Sequence, residues 1–347
     1  MTIRLRAATR GSRLALWQTN HVARLLSNAF TGDRRSTVAS AVSAVSAKLG
    51  DVGDTYEGIH APQVTVEPVI VSTLGDQQAE IPIHKMGGKG VFVKEVQKAV
   101  LDGRADIAVH SAKDLPAETL TGLALAAIPK RGDPRDALVG CRLEELPVGA
   151  TVATGSLRRR AQLAELRPDV LFAELRGNIP TRLERVDDYH AIFAAAAALE
   201  RLGAVLEVLD ILEPEVFLPQ AGQGAIVVEC RQDDHDSRAL LSVIEHTPTR
   251  RTVDAERAFL AELGGDCNQP AGAYATIVDD SGVGSGLSDD AAKKLELTGL
   301  IASLDGQIVL RETRTGVDPM SLGREVARYL LDHAGGDKIL NANRARA

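Results

Sequence analysis

At 347 residues the chain is too long for one ordinary hydrophobic core, so two or three domains are expected. A 44% hydrophobic and 25% charged composition suits a globular protein, no apolar run is long enough to span a bilayer, and a net charge of -7 argues against a general nucleic-acid binder. Cys141, Cys230 and Cys267 lie far apart without a C-x-x-C pair, which argues against a disulfide framework or a zinc site.

The elements follow a strand, turn, helix rhythm. Ile3 to Ala8 reads as a strand, and Ser12 then caps a helix through Leu14, Leu16, Trp17 and Val22. The stretch 31–63 breaks the rhythm. Its Ser36 to Ala47 part has no clear period and its Gly50 to Gly58 part is acidic and Gly-rich, so it reads as a flexible surface insertion. Val64 to Val71 is a β-branched strand. Phe92, Val96, Ala99 and Val100 sit at helical spacing before the stop signal Gly103, and Ala105 to Val109 is a short apolar strand. Alternation of this kind predicts α/β domains on mostly parallel sheets. Pro129 to Pro134 reads as a hinge, Thr151 to Ala153 opens a second α/β unit, and Pro219 to Gly224 is another break. After Thr247 the chain restarts with a helix over Val253 to Leu263, a Gly loop, strands near Ala273 to Val278 and Ile308 to Leu310, and a helix over Leu322 to Leu331. One internal echo stands out. Thr9-Arg10-Gly11-Ser12-Arg13-Leu14 and Thr154-Gly155-Ser156-Leu157-Arg158-Arg159 both follow a strand and open a helix.

Several clusters could carry chemistry. Arg158, Arg159 and Arg160 occupy the first turn of a helix capped by Ser156, where cations oppose the macrodipole unless an anion binds; a solvated basic turn is the other reading. Ile107 to Pro116 reads as a buried-strand pattern ending in polar groups, which puts Lys113 and Asp114 where open α/β sheets bind ligands. A surface ion pair or a turn cap would also explain those two residues, and His110 reads as a packed or capping histidine. Lys85 to Gly90 lacks the phosphate-loop spacing and reads as a mobile basic lid or a plain turn. Arg176 and Arg182 flank a turn at Gly177-Asn178. Cys267 sits in the Gly-rich loop Gly264 to Pro270, where a thiol can be an attachment point or inert.

Taken together, these segments resemble the hydroxymethylbilane synthase (porphobilinogen deaminase) family. The resemblance covers nearly all of the chain except 31–63. It runs through Ala8-Thr9-Arg10-Gly11-Ser12, Leu14 to Gln18, Gly87 to Glu95, Ala105 to Pro116 and Asp133-Pro134-Arg135-Asp136-Ala137. It continues with Gly155 to Arg159, Leu175 to Asn178, Thr181 to Leu183, Gly222 to Ala225, and Gly265-Asp266-Cys267 with Pro270. It implies an α/β protein of three domains, the first two a type II periplasmic-binding-protein pair around a cleft and the third a small α/β cofactor-carrying domain. The expected bounds are 1–129 plus 225–244, 135–219, and 247–347.

The implied reaction condenses four porphobilinogen molecules head to tail, each losing ammonia, and hydrolysis then releases the linear tetrapyrrole hydroxymethylbilane. The implied primer is a dipyrromethane cofactor attached covalently through Cys267. By resemblance, Asp114 is the catalytic carboxylate. Lys113, Ser156, Arg158, Arg159 and Arg182 hold the cofactor, Arg10, Ser12 and Arg176 hold the incoming ring, and Lys85, Lys89 and Phe92 belong to a mobile loop. Physical chemistry agrees with this assignment, because each ring carries an acetate and a propionate and an acidic protein needs clustered Arg and Lys to bind such a polyanion. No metal, nucleic acid or membrane is expected as a partner. A monomer is expected, and the N-terminus, lacking an apolar signal core, points to the cytoplasm. Three departures from the family pattern stand out: Leu74 where many relatives carry Arg, no arginine over Ala204 to Leu209, and Ala198 in place of a glycine. A non-catalytic organic-anion-binding module and a degenerate relative of the same fold are the competing readings.

Overall fold

The structure is a computed structural model, and it describes residues 2–31, 63–77, 90–264, 269–278 and 293–346. Most of the insertion expected over 31–63 lies outside the described residues. Its borders are seen: helix α1 (Arg13–Thr31) runs up to it and strand β2 (Gln63–Ile70) follows it.

The first sheet begins with β1 (Thr2–Thr9), and β2 lies beside it in parallel register from Thr2 opposite Gln63 to Thr9 opposite Ile70. Helix α1 covers one face with Val22, Leu26 and Phe30, which recur every four residues and are fully buried. Helix α2 (Lys94–Leu101) covers the other face and ends just before Gly103, whose φ is +72°. Strand β3 is Ile107–Ser111, two residues later than its sequence expectation, because Asp106 turns back to hold Arg6. Strand β4 (Leu123–Ala127) completes this unit before the chain leaves it.

The second sheet is built from β5 (Asp136–Val139), β6 (Thr151–Ala153), helix α3 (Leu157–Leu166), β7 (Leu171–Ala173), helix α4 (Ile179–Leu183), β8 (Ala191–Ala195), helix α5 (Ala196–Leu202) and β9 (Leu209–Leu212). The chain then returns to the first sheet with β10 (Ile226–Arg231) and helix α6 (His235–Ser242). The resulting strand orders are β2-β1-β3-β10-β4 and β7-β6-β8-β5-β9. These are one plan used twice. Three parallel strands are followed by one antiparallel strand, β10 or β5, that arrives from the other unit. This is the arrangement of a type II periplasmic-binding-protein pair. The central strands β3, β5 and β8 are buried nearly throughout, as strands covered on both faces must be.

The two connections between the sheets touch. Gly132 N donates to Gly224 O at 3.1 Å, and Arg131 Nε donates to Gln223 O at 2.7 Å. Gly224 has φ +84°, and a Cβ there would stand 2.7 Å from Gly132 O, so this crossing accepts only glycine.

The third unit holds helix α7 (Thr247–Glu262), an antiparallel sheet of β11 (Ala271–Val278), β12 (Lys294–Ala302) and β13 (Val309–Gly316), helix α8 (Pro319–Arg328) and helix α9 (Gly336–Arg346). Its core joins Phe259, Leu297, Ile301, Leu322 and Val326. Glu256 on α7 is fully buried and ties all three units together. It accepts from Arg131 NH1 at 2.6 Å, from Gly222 N at 2.6 Å and from Ala275 N at 2.9 Å.

Candidate functional site

The carboxyl ends of the parallel strands carry most of the sequence-expected residues that are described: Arg10 and Ser12 follow β1, Lys113 and Asp114 follow β3, and Ser156, Arg158 and Arg159 follow β6. On the first sheet, β1 runs into Arg10 and Ser12, and Ser12 Oγ accepts from Ala15 N at 3.3 Å to open α1. Strand β3 runs into a single tight turn, Ala112–Asp114, that carries Lys113 and Asp114. Arg10, Ser12, Phe92, His110, Ser111 and Asp114 line one pocket.

Arg10 has partners of its own. Its guanidinium makes a two-pronged pair with Asp76, with Nε 3.1 Å from each carboxylate oxygen, and lies 4.2 Å from the centre of the Phe92 ring. Asp76 is held in turn by Thr73 Oγ1 at 2.7 Å. Burial alone would raise the Asp76 carboxyl, but its bonds to Arg10 and Thr73 outweigh that and lower it. Phe92, expected on a mobile loop, packs at this edge against the turn that carries Asp76. Lys85 and Lys89 lie outside the described residues.

The second sheet's edge is organised differently. Ser156 caps α3 by accepting from Arg159 N at 3.4 Å, as the sequence suggests. The arginines that follow are not a solvated turn. Arg158 and Arg159 are only 3% and 6% exposed, and they converge on Asp136, which is 0% exposed. Arg158 NH1 lies 2.6 Å from Asp136 Oδ2, and Arg159 NH2 lies 2.6 Å from Oδ1. Gln223 Nε2 also donates to Asp136 Oδ1, at 3.0 Å, while its Oε1 accepts from Lys113 Nζ at 3.3 Å. One hydrogen-bonded chain thus runs from the first sheet through the connection into the second. Arg160 points outward to Glu174 at 3.1 Å. Arg182 Nε donates to Gly177 O at 2.8 Å, and Arg176 lies beside Glu174.

The electrostatics of this edge are lopsided. Burial would raise Asp136, yet Arg158 and Arg159 hold it well below the usual carboxylate range. Burial, reinforced by Arg159, pushes Lys113 down to about 8 even though part of the side chain stays accessible. Burial, with Arg159 and Arg176 nearby, pushes Arg182 down to about 10. Asp114 opposes both of these shifts, which places its charge within reach of Lys113 on its own sheet and Arg182 on the other. Lys113, Arg158, Arg159 and Arg182 therefore outnumber Asp114 and Asp136 by two charges. Arg158 Nε is buried without a hydrogen-bond partner among the described residues. Donors in this number and depth match a ligand bearing several carboxylates.

Cys267 lies outside the described residues, but the segment after it is seen. Ala273 N donates to Pro219 O at 3.2 Å. A Cβ on Gly272 would stand 2.9 Å from Pro219 O and 3.2 Å from Arg158 Cδ, so the strand that follows the cysteine loop presses against the arginine pair. Cys230 is buried in the first core, and burial pushes its thiol up to about 11, which makes it inert at neutral pH.

Sequence reading missed Asp76, Asp136, Gln223 and Glu256. Asp136 carried a usable signal: a carboxylate heading the apolar strand Asp136-Ala137-Leu138-Val139 needs buried cations. The others act through tertiary contacts that no local pattern marks.

A family model described as "Porphobilinogen deaminase, dipyromethane cofactor binding domain" matches residues 5–239, and one described as "Porphobilinogen deaminase, C-terminal domain" matches residues 250–332. The chain is 43% identical over 293 residues to the porphobilinogen deaminase of Brevibacillus brevis, covering 83% of this chain and 91% of that one. It is 40% identical over 341 residues to the porphobilinogen deaminase of Nitratidesulfovibrio vulgaris (Miyazaki F), covering 95% and 94%. Among solved structures, a TRAP periplasmic solute binding protein from Desulfovibrio salexigens aligns over 99% of this chain and 98% of its own at 10% identity, with a TM-score of 0.33 that is too low to carry weight.

Proposed function

The chain belongs to the porphobilinogen deaminase family, and from that membership we propose how its residues divide the work of the reaction. It is a transferase that condenses four porphobilinogen molecules head to tail, each losing ammonia, and releases hydroxymethylbilane by hydrolysis. The dipyrromethane cofactor, when bound, supplies the nucleophilic pyrrole carbon at which the chain grows. Cys267 is the attachment point. Lys113, Ser156, Arg158, Arg159 and Arg182 hold the cofactor's acetate and propionate groups. The observation that carries this reading is the excess of buried and half-buried cations over Asp114 and Asp136 where the two sheets meet.

Arg10, Ser12 and Arg176 take the carboxylates of the incoming ring, with Phe92 stacked on Arg10 to close the edge. Lys85 and Lys89 belong to the same covering loop. Asp114 sits between the substrate pocket and the cation cluster. Loss of ammonia leaves an electron-poor ring, and a carboxylate fixed at that junction stabilises the positive charge as it develops. Asp114 also accepts from pyrrole N–H groups and so orients the reacting rings. Residues 1–129 with 225–244, 135–219 and 247–347 act as three domains. The protein works as a cytoplasmic monomer without nucleic acid or membrane partners; among the described residues no helix is long and apolar enough to cross a membrane.

Intact mass of the protein beside Cys267→Ala and Asp114→Asn, before and after porphobilinogen, tests the assignment. The unsubstituted protein should carry a covalent excess of two linked pyrroles and grow in ring-sized steps. Cys267→Ala should carry none. Asp114→Asn should load the cofactor and fold normally yet turn over at a small fraction of the normal rate. A bare mass that never changes in a folded protein would favour an organic-anion-binding module, and full activity in Asp114→Asn would remove that residue from the mechanism.

A further inference from the structure

The returning connection grips the turn that carries Lys113 at several points. Gln220 Nε2 donates to Lys113 O at 3.2 Å, and Ala112 N donates to Ala225 O at 3.0 Å. Between them Gly222, with φ +74°, lies against the turn, where a Cβ would stand 2.9 Å from Ala112 Cβ and 3.1 Å from Lys113 N. The next residue, Gln223, is fully buried. Its Nε2 donates to Pro134 O at 2.7 Å and to Asp136 Oδ1 at 3.0 Å, and its Oε1 accepts from Lys113 Nζ at 3.3 Å.

These partners fix which way the amide points. Burial would raise Asp136, but Arg158 and Arg159 keep it ionised. An ionised carboxylate and a peptide carbonyl only accept, and an ammonium only donates. The amide nitrogen must therefore face Asp136 and Pro134, and the amide oxygen must face Lys113. Apart from the shorter asparagine, no other side chain makes these three bonds while staying neutral.

Neutrality decides what Lys113 can do. The charged groups around it are Asp114 on its own turn, Asp136 at the head of β5, and Arg158 and Arg159 on α3. Arg158 and Arg159 already occupy both oxygens of Asp136. Among the described residues no carboxylate forms an ion pair with Lys113; the partner of its ammonium is the Gln223 oxygen. A glutamate at 223 would grip the ammonium but neutralise it and repel Asp136. An apolar side chain would leave the ammonium without its acceptor.

We propose that Gln223 is a positioning residue that holds the Lys113 ammonium in place while leaving its charge for a carboxylate of the cofactor. The proposal rests on the reading of Lys113 as a residue that holds the cofactor.

Gln223→Glu and Gln223→Met separate aim from charge. Glutamate keeps an oxygen toward Lys113 and adds a negative charge, whereas methionine keeps the volume and removes the acceptor. The titration of Lys113 is read in a Cys267→Ala background, which should carry no cofactor, by acetylation with limiting acetic anhydride over about pH 6 to 10 and peptide mass. With Gln223 in place, burial and Arg159 should set the midpoint at about 8. Glutamate should raise it and methionine should lower it. With Cys267 intact, both variants should gain the dipyrromethane mass from porphobilinogen about tenfold more slowly at neutral pH. A glutamine that only fills space would leave the Lys113 midpoint where it is in the methionine variant. An unmoved midpoint in both variants, or loading at the unsubstituted rate in both, overturns the proposal. If Gln223→Met does not fold, Gln223→Glu decides through the same two readouts. An unsubstituted protein that never gains the dipyrromethane mass would instead overturn the underlying assignment of function, on which the Lys113 titration does not depend.

Discussion

The two sheets share one strand plan and one strand–turn–helix opening, yet they treat their arginines in opposite ways. On the first sheet, Arg10 lies at a partly open edge, clasped by Asp76 and roofed by Phe92. On the second, Arg158 and Arg159 are sunk onto Asp136 and locked by Gln223. The same scaffold thus yields a shallow ion pair at one edge and a buried one at the other. Burial makes the difference. A shallow ion pair is worth little and gives way easily, whereas a buried one is costly to disrupt. That suits a protein that must admit and move on successive rings while keeping one cofactor in place.

The contrast breaks most sharply at Asp136. Asp136→Asn leaves Arg158 and Arg159 facing each other in a buried site without a counter-charge, at a cost of about 3–5 kcal/mol. The urea midpoint of the cofactor-free protein should fall accordingly. The cofactor-loaded form should lose less, because its carboxylates supply part of the missing charge. Equal losses in both forms would mean that the arginines do not reach the cofactor.

A smaller effect should follow from Lys113, which burial and Arg159 push down to about 8. A lysine with a lowered value is neutral above it, so the charge that attracts a carboxylate is present below about pH 8 and lost as pH rises through it. Cofactor loading followed by mass should slow over that window in the unsubstituted protein. Lys113→Arg, whose guanidinium keeps its proton, should flatten the profile. An unchanged profile would take the Lys113 ammonium out of cofactor recognition.

The mildest break is Asp76→Asn. The Arg10–Asp76 pair is partly exposed, so its loss should cost about 1 kcal/mol of stability or less. If Asp76 competes with the substrate carboxylate for Arg10, KM for porphobilinogen should drop a few-fold. A higher KM would recast Asp76 as the group that aims Arg10.

How much of this was legible beforehand depended on whether the signal was local. The echo between Thr9 to Leu14 and Thr154 to Arg159 is local, and it marks the two openings that the matching sheets place at corresponding edges. Ser12 and Ser156 read correctly as caps for the same reason. Lys113 and Asp114 could be placed at a strand end because they closely follow the short apolar run Ala105 to Val109. By contrast, β12 was missed because Lys294 to Ala302 follows a Ser/Asp/Gly-rich stretch and breaks its period, exposed and buried residues alternating at first and Gly299 to Ala302 then buried in a row; it becomes a central strand only through β11 and β13. The burial of Arg158 and Arg159 was invisible too. It depends on Asp136, more than twenty residues earlier, and on the Leu218 carbonyl, which arrives with the returning connection. A row of arginines looks the same whether it faces water or a buried aspartate.

The Glu256 carboxylate gives the molecule a fulcrum. It grips Arg131 and Gly222, one from each connection, and Ala275 on the sheet that follows the cysteine loop. A rotation of one large lobe against the other would work against these bonds. The third lobe also holds each large lobe directly, through Arg257 to the Ala117 carbonyl at 2.9 Å on one and through Arg311 to Glu165 at 2.8 Å on the other. Any shift of the two large lobes relative to each other would therefore have to break or stretch bonds that converge on the third lobe.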